Sequence, residues 1–286
     1  VDTRFERTSP LLVIGMHRSG TRLLAGILDK LGVFMGADRQ GDGESVTFML
    51  INEAIFHQCG TFWSEPMPLH FVLSQPESVE RLAASVRETL AAKLTDYAGA
   101  SGWRLGSGAE DTPSFGWKDP RNTFTLPVWR RVFPHLRALH IVRHGVDVAA
   151  SLARRQSAAL RSATGESVPS ALTVIKDHAF GVLSSRRGWT LAEALTMWEQ
   201  YVEKARLEAA ELGKRALEIR FEDLLTRRDA AITRIARFCE VPVPRDREAI
   251  LEHFEPARAF AYRREPELVD FAETVRDILH RYGYNP

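Results

Sequence analysis

The run Leu11-Leu12-Val13-Ile14-Gly15-Met16-His17-Arg18-Ser19-Gly20-Thr21-Arg22 changes character twice. Its apolar start, Leu11 to Ile14, suits a strand buried on both faces. Gly15 to Gly20 breaks that strand. From Thr21 the apolar spacing turns helical through Leu23, Leu24, Ile27, Leu28 and Leu31, until Gly32 supplies a stop. Strand, glycine-bounded loop and helix in this order predict the start of a βαβ unit. The loop then lies at the carboxyl end of the first strand of a parallel sheet, where such proteins bind anions. Unpaired backbone N–H groups and the positive end of the helix dipole face a ligand there. Gly20 lets ligand oxygens approach, Arg18 adds charge, and Ser19 and Thr21 add hydroxyl donors. Gly15 and Gly20 keep the spacing of the triphosphate loop G-x-x-x-x-G-K-[ST], and Thr21 follows, but the Lys is missing. That Lys reaches the β- and γ-phosphates, so the loop reads as a phosphate cradle not built for a triphosphate. The competing reading is a plain strand-to-helix turn with solvated polar residues.

Outward from this loop, a helix is expected from Ser45 to His57, then a loop with Pro66 and Pro68, then an amphipathic helix over Val79 to Leu94. Phe115-Gly116-Trp117-Lys118 reads as a short strand and Arg137 to Val142 as a buried one, followed by a helix from Val146 to Arg155. Gln156 to Gly188 is basic and weakly periodic, and a connection of that length usually carries function. Thr190-Leu191-Ala192-Glu193 is a capping box opening a helix to about Leu212. Leu217 to Phe221 alternates like a strand, and helices are expected over Ala230–Cys239 and Leu268–Tyr282. Strands alternating with helices predict an α/β fold, a mostly parallel central sheet with helices on both faces, as a single domain over residues 1–286.

A second segment repeats the logic of the first. In Ile141-Val142-Arg143-His144-Gly145-Val146-Asp147-Val148-Ala149-Ala150-Ser151 an apolar strand ends at an Arg, and a helix then carries a Ser. Arg143 offers bidentate phosphate contact and Ser151 a hydroxyl donor. An Arg after a strand also serves in surface salt bridges, so the pair of motifs counts for more than either one. A third segment, Phe115-Gly116-Trp117-Lys118-Asp119-Pro120-Arg121, ends its strand where Pro120 disfavours the α region at Asp119. Lys118 there is a candidate for meeting charge that develops in a reaction, or else a solvated edge-strand lysine.

Taken together, the three segments resemble the sulfotransferases that use 3′-phosphoadenosine-5′-phosphosulfate (PAPS), the family with an R-S-G-T loop and a W-K-D-P-R stretch. The resemblance covers about residues 10–55, 115–152 and 190–242 and implies a P-loop-like sulfotransferase fold. It implies that Gly15, His17, Arg18, Ser19, Gly20, Thr21 and Arg22 hold the 5′-phosphosulfate end of PAPS, although the family prefers a small hydroxyl residue where Arg22 stands. Arg143 and Ser151 would hold the 3′-phosphate, with Gly145 where Pro is common and His144 in support. PAPS has one phosphate-rich end and one 3′-phosphate, so two separated anion sites are expected. Lys118 and Arg18 would stabilise the leaving group, and Asp119 would orient neighbouring cations. Gly43-Glu44-Ser45 to Asn52 is similar to the branch that uses Glu as general base, making Glu44 the base, without the aromatic residues usual before it. A Glu at a helix start is also a dipole partner, and His17, His57 and His70 compete as bases. Arg220-Phe221-Glu222-Asp223-Leu224, Trp198 and Tyr201 resemble structural positions of the family. Arg258, Arg263 and Arg264 either close over the nucleotide or stay solvated.

Composition bounds what remains. A chain of 286 residues buries roughly 75% of its unfolded surface and needs no disulfides. Cys59 and Cys239 read as free buried thiols, which suits a cytoplasmic setting. A net charge of +1 argues against a general nucleic-acid binder, and no apolar run is long enough to span a membrane. No metal is expected, since no spacing of His, Cys or carboxylates suggests ligands. The resemblance implies a hydroxyl or amine acceptor, for which a carbohydrate or small molecule is expected, with contacts in the segment 156–188, where Arg161, Lys176, Arg186 and Arg187 stand. The rival readings are an ATP-dependent phosphoryl-transfer enzyme with a degenerate loop and a nucleotide-binding module without catalysis.

Overall fold

Strands β1 (Leu11–Ile14), β2 (Gly116–Lys118), β3 (Arg137–Val142) and β4 (Ala216–Arg220) form one sheet in the computed structural model, which describes residues 3–106, 112–164, 187–243, 250 and 255–286. All pairings are parallel and the order is β2-β1-β3-β4. Leu12 stands opposite Trp117 on one side and Ala138 on the other, and His140 opposite Glu218. Successive strand residues point to opposite faces. Leu12, Ile14, Ala138 and Val142 accordingly join one apolar core, while Leu11, Val13, Leu139, Ile141 and Ile219 join a second. The β1 side chains have no exposed surface, and burying each contributes roughly 1.5–3 kcal/mol.

Helices α1 (Thr21–Lys30), α2 (Val46–Gln58), α3 (Met67–Leu73), α4 (Pro76–Ala98), α5 (Asn122–Val132), α6 (Gly145–Thr164), α7 (Leu191–Leu212), α8 (Phe221–Thr226), α9 (Arg228–Cys239), α10 (Pro266–Thr274) and α11 (Arg276–Arg281) complete the described residues. Residues of α2, α4, α5, α6 and α7 cover the first face; α1 and α9 cover the second. The result is a single α/β domain with a parallel sheet between two layers, as the alternation predicts. The capping box at Thr190 forms, with Glu193 N donating to Thr190 Oγ1 at 3.2 Å and Thr190 N to Glu193 Oε2 at 3.3 Å.

The structure departs from the expected elements in several places, one of them at Phe221, expected to end the last strand but found opening the unforeseen α8. The turn of chain around Pro66 and Pro68 is not a loop but the start of α3, where proline fits the first helical turn. α5 was not foreseen. Helix α6 runs on to Thr164, so the beginning of the stretch from Gln156 is helical. The expected helix over Leu268–Tyr282 is two, interrupted at Val275 (φ −112°, ψ 21°) beside β-branched Thr274. Lys176, Arg186 and the side chain of Arg161 lie outside the described residues. Arg187 turns inward, its Nη1 donating to Ser64 O at 3.5 Å and Gln200 Oε1 at 3.3 Å. Cys59 and Cys239 are free, and burial pushes the Cys239 thiol up to about 12. Among the described residues no helix is long and apolar enough to cross a membrane.

Candidate active site

The β1–α1 loop turns through left-handed backbone at Arg18 (φ 70°) and at Gly20 (φ 97°), which caps α1. A side chain at Gly20 would be strained by that φ, and its Cβ would lie 2.4 Å from the Phe221 ring. Phe221 therefore leaves no room for a side chain at Gly20, whose backbone lines the cavity beside it. Gly15 serves the sheet instead, because a Cβ there would lie 2.4 Å from Ile141 O on β3. The β3–α6 turn rises next to this loop. Arg18 Nε donates to Ser151 Oγ at 2.9 Å, and Arg143 Nη1 to Arg18 O at 3.4 Å.

Both turns open onto one cavity of about 590 Å³ at the carboxyl edge of the sheet. His17, Arg18, Gly20, Thr21, Arg22, Glu44, Lys118, Arg143 and Ser151 line it. Gly15 and Ser19 do not: Ser19 is buried beneath the loop, with its Oγ lacking a partner. The two anion sites expected to be separate are thus neighbours in one chamber. Arg143 is also drawn toward the protein, its Nη2 3.3 Å from Asp147 Oδ2 and donating to Arg258 O at 3.1 Å, while its guanidinium lies 4.6 Å from the centre of the Phe221 ring. Burial is the main cause that lowers its pKa.

Lys118 reaches the cavity from β2, an edge strand, yet only 3% of its side chain is exposed. Its Nζ donates to Glu44 Oε1 and, at 2.9 Å, to Asp42 O. The solvated edge-strand reading of Lys118 therefore fails. Glu44 precedes the cap rather than occupying the first turn of α2: Ser45 is the N-cap, its Oγ accepting from Phe48 N. A dipole partner in that turn is thus not what Glu44 is. Beneath the pair lies a buried polar network. Asn52 Nδ2 donates to Asp119 Oδ2 (2.9 Å) and Asn122 Oδ1 (2.8 Å), and its Oδ1 accepts from Thr125 Oγ1 (2.7 Å) and Trp129 Nε1 (2.9 Å). Asp119 orients Arg121, whose Nε lies 2.9 Å from Oδ1, rather than Lys118. Burial first, and then Glu44, push the Asp119 carboxyl up to about 7, and burial brings Arg121 down to about 10.

Residues 10–245 match the family described as the sulfotransferase family. The chain belongs to that family. No curated protein sequence gives a significant match. Among solved structures, the sulfotransferase domain from the curacin biosynthetic pathway is 15% identical, with 94% of this chain and 97% of that one covered and a TM-score of 0.51. The sulfotransferase STF9 from Mycobacterium avium is 13% identical, covering 93% of this chain and 76% of that one at a TM-score of 0.48. A mouse sulfotransferase solved in complex with PAP is 12% identical, covering 92% and 70% at a TM-score of 0.43. The likeness to the curacin domain is one of fold.

In this sulfotransferase, several residues sit differently from what the sequence reading expected. Phe221 and Arg258 line the cavity, so the Arg220–Leu224 motif does more than pack. Arg263 and Arg264 do not line it: Arg263 Nε donates to the Tyr262 hydroxyl and Arg264 Nη2 to Ala257 O. His57 and His70 are exposed and away from it. His144 does not face the cavity either, its Nε2 lying 2.9 Å from Asn285 O and its ring stacked 4.3 Å from Tyr262. His17 does, and burial, helped by Arg155, Arg121, Lys118 and Arg18, holds it well below the ordinary histidine value. Trp198 and Tyr201 are fully buried, as read. Arg155 also lines the cavity and was missed. Its spacing of four from Ser151 on α6 was the available signal, since such residues share a helix face.

Proposed function

We propose that the chain transfers a sulfuryl group from PAPS to a hydroxyl or amine of an acceptor bound in the same cavity. The observation that carries this reading is the meeting of two strand-to-helix turns in one chamber, with Arg18 bonded to Ser151 at 2.9 Å. A donor with anionic groups on both the 5′- and the 3′-position of one ribose needs two neighbouring anion sites in one chamber; a nucleoside triphosphate does not. The buried Arg143 Nε has no partner among the described residues and offers a donor to a phosphate oxygen. Arg18, Gly20 and Thr21 would hold the 5′-end, Arg143 and Ser151 the 3′-phosphate.

In the transfer, the bond from sulfur to the 5′-phosphate oxygen breaks as the acceptor oxygen or nitrogen bonds to sulfur. Glu44 accepts the acceptor's proton, and Lys118 and Arg18 meet the charge that grows on the departing phosphate. Adenosine 3′,5′-bisphosphate leaves. The two free cysteines suit a reducing, cytoplasmic setting.

Thermal unfolding with added nucleotide tests this reading. A ligand that binds the native state stabilises it by about 2.7 kcal/mol at a hundred times its Kd. Adenosine 3′,5′-bisphosphate is expected to raise the melting temperature well above the rise given by ATP with Mg²⁺. The reverse order would favour phosphoryl transfer. A shift with the bisphosphate, but no transfer from PAPS to any of a panel of phenols, sugars and amines, would favour the binding module.

A further inference from the structure

Arg155 is a cation on the cavity wall that the donor reading leaves without a task. It stands one turn beyond Ser151 on α6, on the same helix face. Two other arginines of the site are matched by carboxylates, Arg143 by Asp147, and Arg121 by Asp119 and Glu53, while Arg18 is bonded to Ser151 Oγ. Arg155 has no such partner among the described residues. Its Nε is buried and has no hydrogen-bond partner among the described residues. What supports it is a ring, since its guanidinium lies 5.3 Å from the centre of Trp63. That contact favours the cation without spending its N–H donors or cancelling its charge. The imidazole of His17 packs on the same indole at 4.5 Å. Asp42, and after it Glu44, are the carboxylates whose charge it feels; Glu44 is bonded to Lys118, and neither lies within ion-pair distance of Arg155.

A half-buried guanidinium with unspent donors is a site for an oxyanion, because a carboxylate, sulfate or phosphate takes two of its parallel N–H groups. We propose that Arg155 binds an anionic group carried by the acceptor, so that the enzyme selects acidic acceptors. This rests on the sulfotransferase reading of the cavity. The position fits, because Arg155 and Glu44 line the same cavity and Glu44 is among the charges that Arg155 feels. Burial, and then Arg18, lower the Arg155 pKa to about 10, so the group is still charged at neutral pH and an anion beside it relieves an unbalanced charge. The bound acid would hold the acceptor by a point fixed to α6 while its hydroxyl faces Glu44.

The test uses two probes that differ only in charge, benzoate and benzamide, on protein saturated with adenosine 3′,5′-bisphosphate. Calorimetric titration is expected to show benzoate binding about tenfold or more tightly than benzamide, the worth of a charge-assisted pair. Arg155→Gln should erase that preference and Arg155→Lys should keep part of it. Both variants should bind the bisphosphate within about threefold of the parent protein, which also shows that they fold. Two results overturn the proposal. One is equal response to the two probes, including none to either, or a benzoate preference that survives Arg155→Gln. The other is a loss of bisphosphate affinity in Arg155→Gln as large as that in Arg143→Ala, which would assign Arg155 to the donor. Should the parent protein fail to bind the bisphosphate, the donor reading falls instead, and the benzoate comparison on nucleotide-free protein decides Arg155 by itself.

Discussion

Lys118 and Glu44 form a pair from which water is nearly excluded, with 3% and 12% of their side chains exposed. Each therefore matters twice, for the charge it brings to the cavity and for the charge it cancels in its partner. Glu44→Gln and Lys118→Ala are each expected to lower turnover by about 10² or more while bisphosphate binding persists. Arg143→Ala should do the opposite, weakening bisphosphate binding by about tenfold or more. Stability separates the two functions of the pair. Glu44→Gln leaves a buried ammonium with only neutral acceptors, the new amide oxygen and Asp42 O, at a cost of about 3 kcal/mol. Joining Glu44→Gln to Lys118→Met should cost less than the sum of the single changes, because the second removes the charge that the first stranded. Urea titrations of the three variants measure this, and strict additivity would mean that the two groups do not interact. At this scale the sequence was informative where side-chain chemistry is local. Trp117 to Arg121 announced Lys118, but nothing near it in the chain announced Glu44 as its partner or the burial of Ser19.

Elements bring such partners together, and α2 does so for Glu44. The helix starts immediately after that residue at the Ser45 cap, where Asp38 Oδ2 accepts from Thr47 N at 2.7 Å. Its far side is bolted to α5 through Asn52, whose amide uses both its donor and its acceptor on buried partners. Asn52→Ala would orphan Trp129 Nε1, take one bond each from Asp119, Asn122 and Thr125, and loosen the helix that sets Glu44 against Lys118. The expected cost is of order 2–4 kcal/mol, read as a lower denaturation midpoint at unchanged m-value. A change within a few tenths of a kcal/mol would show that the network does not fasten α2. α5 itself was invisible in the sequence for a physical reason. Asn122, Thr123 and Thr125 are buried together with Phe124, Leu126 and Trp129, so polarity does not track burial along it, and Pro127 sits inside. The strands and the α7 capping box were legible because their signals, apolar runs and a Thr–Glu spacing, are short-range. The extension of α6 and the interruption at Val275 were not.

Across the whole molecule, the turns that line the cavity are tied to the C-terminal residues. Glu222 Oε1 accepts from His144 N at 2.9 Å, and its Oε2 from the Tyr284 hydroxyl at 3.1 Å. Arg220 Nη2 donates to Gly283 O at 3.0 Å, and His144 Nε2 to Asn285 O. The parallel sheet between two cores could be read from alternating elements, whereas this strap, built from contacts far apart in the chain, could not. His144 makes the strap sensitive to acid. Burial, the largest influence, lowers its pKa to about 4, whereas an unfolded chain protonates histidine near 6.5. Between those values the unfolded state binds the proton and the folded state does not, so His144 withdraws stability as pH falls from about 6.5 to about 4. The amount is of order 3 kcal/mol. Asp119, raised to about 7, works in the other direction over much of that range, since the fold takes its proton first. The parent protein's pH curve therefore mixes the two, and a substitution is needed to separate them. His144→Gln should destabilise the protein at pH 7.5, where the stacked neutral imidazole on Tyr262 is lost. It should destabilise it far less, or not at all, at pH 4.5, where the parent protein alone carries the histidine's burden. Urea unfolding at the two pH values measures that difference. A cost that stayed the same at both would mean that His144 is free to protonate in the fold, and that the strap is not held by a neutral ring.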